Sequence, residues 1–313
     1  MTTNNELSRT EVANRLRREA VGVKLERSQF GVSRRLDNSQ KGQIAGLFGA
    51  DAERLSAGKK LLNKKHEAYA NLTSLLGQAR EIWVDSTLPF PEPGIRLIRR
   101  DKVSEFDERM VALRADVRDA ARKLEEVYHE ELIPDARKRL GDLFNEGDYP
   151  THIQDEFDLE VSYPNVEPGE YLRQISPKLY EQEQQRIQAR FEEAIALAEQ
   201  NFAAEFAQII EHLLERLTPS ADGKQKVFRD SALENIGDFF KKFKSLDVGS
   251  SPELSGLIEQ AEAAVAGVNP VSLRKDATNR EAIRESLASL SQRVEGLLID
   301  KPKRKITFED EAA

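Results

Sequence analysis

Nine apolar side chains, Ile187, Phe191, Ile195, Ala198, Phe202, Phe206, Ile209, Leu213 and Leu217, recur at steps of three or four residues with no glycine or proline between them. A run of that spacing is one face of a long helix. The stripe crosses thirty residues in eight steps, a mean of 3.75. That exceeds the ~3.6 residues per turn of a straight α-helix, so the stripe drifts opposite to a heptad. A helix crossing several partners fits this better than one strand of a two-stranded coil. Thr218-Pro219 ends it, because the residue before a proline is pushed out of the helical region.

Two other segments carry heptads. Over 42–84, Phe48, Leu55, Leu62, Tyr69, Leu76 and Trp83 recur every seventh residue, with Ile44, Leu72 and Ala79 in the companion row. Asp51, Gly58 and Lys65 occupy that row in the middle, so the seam is good at both ends and loose at the centre. The pattern predicts one helix of 43 residues, roughly 65 Å long at ~1.5 Å per residue. Over 101–145, Val103, Phe106, Met110, Leu113, Val117, Ala120, Leu124 and Val127 alternate steps of three and four, with an interruption expected near Leu132–Ile133 from Pro134. Between them, Pro89 to Gly94 holds three prolines and a glycine and cannot be helical. Together these read as a long antiparallel helical hairpin. The seams could pair within one chain or between two copies, and the sequence leaves both open.

The remaining segments are shorter. Residues 6–20 read as a basic amphipathic helix with Val12, Leu16 and Ala20 on one face. Val21, Val23 and Leu25 alternate with period two, which predicts a short strand, in a hairpin closing near Gly31. Phe157, Leu159 and Val161 suggest a second strand that could pair with the first. Residues 223–247, 252–267 and 276–299 read as three helices. The expected fold is therefore mainly α, a long helical hairpin or coiled-coil bundle with a two- or three-stranded β element at one end. Its blocks are 1–41, basic; 42–145, hairpin; 146–169, connector; 170–300, helical bundle; and 301–313, a charged tail.

Cysteine is absent, which excludes disulfides, thiolate metal sites and cysteine nucleophiles. The first residues lack the apolar core of a signal peptide, and no stretch approaches the ~20 apolar residues of a membrane-spanning helix. A cytoplasmic protein with no membrane association is expected. The net charge of −8 is unevenly spread. Residues 1–80 hold 15 Lys and Arg against 8 acids, and residues 146–218 hold 5 against 16. Either these are solvated faces of opposite sign or the two regions dock on each other or on partners.

No pattern selects a catalytic centre, a cofactor, a metal or a small-molecule substrate. Glu126 and His129 have the ExxH spacing of one helix face, but di-iron bundles need a second such motif and further carboxylates. The glycines of 42–51 fit neither GxGxxG nor GxxxxGK[ST], and no GxSxG elbow exists. Nucleic acid has one candidate region, Arg15, Arg17, Arg18, Lys24, Arg27, Arg34 and Arg35 followed by Lys59, Lys60, Lys64 and Lys65, with Phe30 as the single interleaved aromatic. A protein partner has another: Phe90, Ile95, Arg96, Ile98, Arg99 and Arg100 lie at the proline-stiffened tip of the hairpin, where they could dock a partner or fold back onto their own helices. KPKRK (301–305) looks like a nuclear-import signal but reads better as a solubilising end.

The order VKLERSQFGVSRRL (23–36), heptad helix, STLPFPEPGIRLI (86–98), second long helix resembles an uncharacterised family of helical proteins from bacteria, phages and plasmids, catalogued as a domain of unknown function. In that family a short β-like segment ending in a basic pair precedes a helix, and a glycine-containing turn leads to another long helix. Arg34-Arg35 stands where the basic pair would, and Gly94 where the turn glycine would. The family's aromatic–x–glycine element is matched in part, by Phe30-Gly31. The resemblance covers roughly residues 21–220. Members are often encoded near ring-forming ATPases and integrin-like adhesion-domain proteins. It implies a non-enzymatic partner of such machinery and brings no catalytic residues. The expected function is thus a helical scaffold or adaptor binding a protein partner, or alternatively a nucleic-acid-binding accessory protein using the basic N-terminal region.

Overall fold

The computed structural model describes residues 9–219, 228, 230–247, 249–268, 270, 273 and 276–299. The tail 301–313, with KPKRK, and the segment 220–227 lie outside the described residues. The chain is mostly helical and forms two compact units: Met1–Val21, Thr87–Arg99 and Asn165–Ala313 make the first, Gly22–Ser86 and Arg100–Pro164 the second. This division does not follow the sequence blocks, because the N-terminal helix and the proline-rich segment both belong with the C-terminal helices.

The first unit is organised on the predicted stripe. Its elements are α1 (Arg9–Glu19), β4 (Leu88–Pro89), β5 (Ile95–Arg99), α6 (Glu170–Ile175), α7 (Pro177–Leu217), α8 (Ser231–Leu246), α9 (Pro252–Val265) and α10 (Ala277–Ile299). Ser176 separates α6 from α7: its hydroxyl accepts from the Leu179 amide and Pro177 fills the first turn, where a missing N–H costs nothing. Of the nine stripe residues, eight are buried and Ile209 is partly buried, with Ile210 beside it fully enclosed. α7 packs against α1, β4, α6, α8, α9 and α10. A stripe that drifts around its helix has that use, since successive stretches meet different neighbours. Phe206 stacks on Phe239 with ring centroids 5.4 Å apart, and Phe202 meets Phe243 edge-on at 5.1 Å. Val12, Leu16 and Ala20 of the N-terminal segment are buried in this core, as the four-residue spacing predicts.

The far end of α7 leaves carbonyls with no intrahelical partner. Arg280, 4% exposed, reaches them from α10: its Nε donates to the Leu217 carbonyl at 3.0 Å and a terminal nitrogen to the Arg216 carbonyl at 2.6 Å. A cation there also faces the negative end of the helix dipole.

The second unit departs from expectation at its first helix. In place of one helix over 42–84 stand α2 (Asn38–Phe48), a 3-10 turn (Ala52–Arg54), the strand β3 (Gly58–Lys60) and α3 (Glu67–Asp85). The seam is broken where it reads loose. Gly49 takes φ +62° and terminates α2, Asp51 caps the 3-10 turn, and at Gly58 a Cβ would stand 3.0 Å from the Arg34 carbonyl oxygen. The heptad is realised in α3, where Tyr69, Leu72, Leu76 and Ala79 are buried against α4 (Val103–Val127). Beyond Leu124 the buried position is Tyr128 rather than Val127, because Tyr128–Leu132 forms a π-turn before α5 (Ile133–Leu140), which carries Pro134 in its first turn.

Strand β1 (Ala20–Ser28) pairs antiparallel with β6 (Asp158–Ser162), Leu25 opposite Val161 and Arg27 opposite Leu159, the pairing that period two at both places suggests. The strand β2 (Ser33–Arg35) pairs with β3 and not with β1, so no hairpin closes at Gly31. β4 pairs antiparallel with β5, Leu88 opposite Leu97 and Pro89 opposite Arg96. No helix among the described residues is long and apolar enough to cross a membrane.

Arg280→Met is expected to lower stability by about 3 kcal/mol, since it removes two charge-assisted hydrogen bonds and leaves buried carbonyls unpaired. Urea unfolding measures this; a loss under about 1 kcal/mol would mean the α7 carbonyls do not depend on Arg280.

Candidate functional site

The segment 30–66 of the second unit combines the two most exposed large apolar residues among those described with a run of exposed cations. Asp37 opens α2 with a reciprocal cap: its carboxylate accepts from the Gln40 amide at 2.7 Å and the Gln40 side chain accepts from the Asp37 amide at 3.2 Å. Ala45 anchors the helix inward. Its last two residues, Leu47 and Phe48, are 82% and 80% exposed. Ile44 lies one turn earlier and is half-buried, so the three form one apolar end. β2 and β3 run beside this helix in sequence, with Arg34 opposite Lys59 and Arg35 opposite Gly58, and the ladder continues through Leu61 N–H to the Val32 carbonyl at 2.8 Å.

Eight Lys and Arg in residues 30–66 face three Asp and Glu. Lys59 is consumed internally: it is buried, donates to the Leu143 carbonyl at 2.7 Å and pairs with Asp148 at 2.6 Å. Arg34, Arg35, Lys60, Lys64 and Lys65 are exposed.

The other predicted cations are mostly engaged. Arg15 pairs with Glu19 at 3.1 Å, Lys24 with Glu26, and Arg27 donates to the Leu76 carbonyl at 3.0 Å. Arg17 Nε donates to Glu167 at 2.7 Å and a second guanidinium nitrogen binds the other oxygen, while Arg18 is exposed. Thr10 donates to Glu192 at 3.1 Å. Within the first unit, therefore, the basic N-terminal helix docks on acidic residues of the 146–218 region. The structure thus places Arg15, Arg17, Lys24 and Arg27 in internal contacts and presents Arg34 and Arg35 outward.

The proline-rich segment is not an exposed tip. Phe90 and Ile98 are buried and Ile95 is partly buried. The Phe90 ring meets Phe191 edge-on at 5.5 Å. Arg96 donates to the Thr87 hydroxyl at 2.6 Å and carbonyl at 2.8 Å. Arg99 is half-buried and only Arg100 is exposed. Burying Leu88, Phe90 and Leu97 against the α7 core removes more apolar surface from water than display at a tip would allow.

The Glu126–His129 pairing is also replaced. His129 Nε2 lies 3.0 Å from the Thr151 carbonyl oxygen and 3.7 Å from Glu125, the residue four positions earlier, because the π-turn starts between them. Glu125 further takes His152 Nδ1 at 3.1 Å and the Gln154 amide at 3.1 Å. Burial pushes the Glu125 carboxyl up, but the Gln154 amide and the His152 imidazole outweigh it and hold the group below its ordinary 4.5. Next to it the Tyr128 hydroxyl is fully enclosed and makes no hydrogen bond among the described residues, and burial with the nearby Tyr149, Glu125 and Glu156 raises its pKa far above the usual phenol range. Among the described residues no three His, Asp or Glu side chains could jointly hold a metal ion.

Leu47 and Phe48 were hidden from sequence reasoning because Phe48 fits the false heptad. Gly49, standing directly behind them, is the signal that would have marked a short helix ending in two apolar residues. No family model, curated protein or solved structure matches the chain.

A carboxylate whose folded pKa is depressed adds stability above its unfolded pKa, and that stability is lost as pH falls through the folded value. Glu125→Gln should therefore lower stability at neutral pH by about 2 kcal/mol and flatten the acid limb below the ordinary carboxylate pKa. Urea unfolding of both proteins at neutral pH and through the acid range checks this; parallel pH curves would refute it.

Proposed function

We propose that the chain is a non-enzymatic helical adaptor that holds a protein partner through the Leu47–Phe48 end of α2. The observation that supports it is the exposure of two adjacent large apolar residues on a capped helix, 82% and 80%, the highest values for large apolar side chains among the described residues. Scattered exposed apolar residues are ordinary, but a clustered pair with Ile44 beside it suits insertion into a partner. The surrounding excess of cations favours a partner segment that combines apolar side chains with carboxylates. The resemblance of residues 21–220 to phage- and plasmid-borne helical proteins is consistent with a partner in a mobile-element-associated assembly.

A nucleic-acid accessory role is the second reading, favoured by exposed Arg34, Arg35, Lys60, Lys64 and Lys65 in one short segment. Its mark is retention on DNA or RNA at low salt, lost as salt rises.

For the adaptor reading, Phe48→Asp and Leu47→Asp should leave unfolding within about 0.5 kcal/mol of the parent, because exposed positions carry little stability. A photo-crosslinking side chain at position 48 should join one defined protein in the native host, and Leu47→Asp in that background should abolish the adduct. An adduct pattern that survives Leu47→Asp would defeat the proposal.

A further inference from the structure

Beyond the adaptor reading, we infer that the cavity between the end of β3 and α5 binds a phosphate ester carrying a small apolar body. The cavity measures about 290 Å³ and lies wholly in the second unit. Four cations line it, Lys60, Lys64, Lys65 and Arg139, against one carboxylate, Asp135. The ammonium groups of Lys60, Lys64 and Lys65 pair with no carboxylate among the described residues. Buried Leu61, Leu62 and Ala136 supply an apolar floor.

The lining is fixed by contacts that leave the cations available. The Leu61 amide donates to Val32 and its carbonyl accepts from the Tyr149 hydroxyl at 3.1 Å. Asn63 turns the chain so that Lys64 and Lys65 follow one another: its side chain accepts from the Lys65 amide at 3.0 Å and its carbonyl from the His66 amide at 3.1 Å. Across the cavity, α5 carries Asp135 and Arg139, joined to each other at 2.7 Å. Arg35 and Lys60 share one face of the β2–β3 pair, because Lys60 stands opposite Ser33 and Arg35 two residues on.

The charge decides the ligand class. A lone carboxylate would leave most of the positive charge uncompensated, whereas a phosphate near −2 with three acceptor oxygens can engage several ammonium groups and a guanidinium together. The volume sits near the lower bound of ~300–1,000 Å³ for small-molecule sites, enough for one nucleotide-sized body on the apolar floor. Such an ester is a monoester, as in a free mononucleotide; the internal phosphodiester of a strand carries −1 and only two free oxygens and meets the requirement less well.

The test is calorimetric titration of the full chain at low and high salt with inorganic phosphate, adenosine monophosphate and oligothymidylates of increasing length. One site per chain for the mononucleotide, with inorganic phosphate competing more weakly, is the result expected for a free ester. Affinity that rises with oligonucleotide length and falls steeply with salt, with no saturable mononucleotide site, belongs to the nucleic-acid reading and overturns the ester site. Lys64→Gln with Lys65→Gln should weaken binding at least about tenfold without changing thermal unfolding, and Arg139→Gln should do so independently. Asp135→Asn should strengthen it several-fold by releasing Arg139. Lys178→Gln with Lys241→Gln, both exposed in the first unit, is the control and should have no effect. The inference falls if no probe saturates even at low salt, or if the control pair weakens binding as much as the cavity pair. None of these variants touches Leu47 or Phe48, so the adaptor reading stands or falls separately.

Discussion

The first unit depends on one helix being long enough to meet six neighbours and on its end being made tolerable. α7 runs 41 residues from Pro177 to Leu217, and its last carbonyls accept from the buried guanidinium of Arg280. Buried, unpaired carbonyls would favour fraying of the last turn, which holds Leu213 and Leu217 in the core. Arg280 removes that penalty with a buried guanidinium, and in doing so fixes where α10 begins relative to α7. The buried charge is tolerable because its donors meet carbonyl oxygens at the negative pole of a helix. Packing of α1, β4, α8 and α9 along the same stripe then follows from its drift, which gives each a different stretch of Ile, Leu and Phe.

The sequence was readable where pattern and structure share a cause. The stripe from Ile187 to Leu217 predicted a long multi-partner helix, since a mean step above 3.6 is a statement about geometry. Val12, Leu16 and Ala20 read correctly for the same reason, and the period-two runs near Leu25 and Leu159 named strands that do pair. The heptad from Phe48 to Trp83 misled because spacing alone does not distinguish a continuous helix from a helix, a turn, a strand and another helix laid end to end. Local chemistry argued against continuity: Gly49 behind an apolar pair, Asp51 able to cap, Gly58 where a carbonyl must come close. Each outranks a seven-residue step, because backbone geometry is less negotiable than side-chain placement.

Sites were less legible than the fold. A list of cations between Arg15 and Arg35 does not say which are spent, and Arg17 shows why: its partner Glu167 lies 150 positions away. The cations of the cavity come from two distant stretches, Lys60 to Lys65 and Arg139, which only folding brings together. The proline-rich segment failed as a tip for a related reason. Phe90 and Leu97 look displayed in a linear chain, while in three dimensions the α7 core can take them in.

One surplus residue in the π-turn Tyr128–Leu132 has a consequence of another kind. From Leu124 the buried positions advance by fours, through Tyr128 and Leu132 to Ala136. A single residue subtends ~100° of helical rotation, so the turn sets the phase of everything that follows it. Which side chains of α5 face inward, and which carry Asp135 and Arg139 to their places, is therefore inherited from a count made upstream. Relatives of this chain that differ here by one deleted residue would keep nearly the same composition, yet present a rotated surface. Between such relatives, the alignment gap would carry more functional information than any substitution.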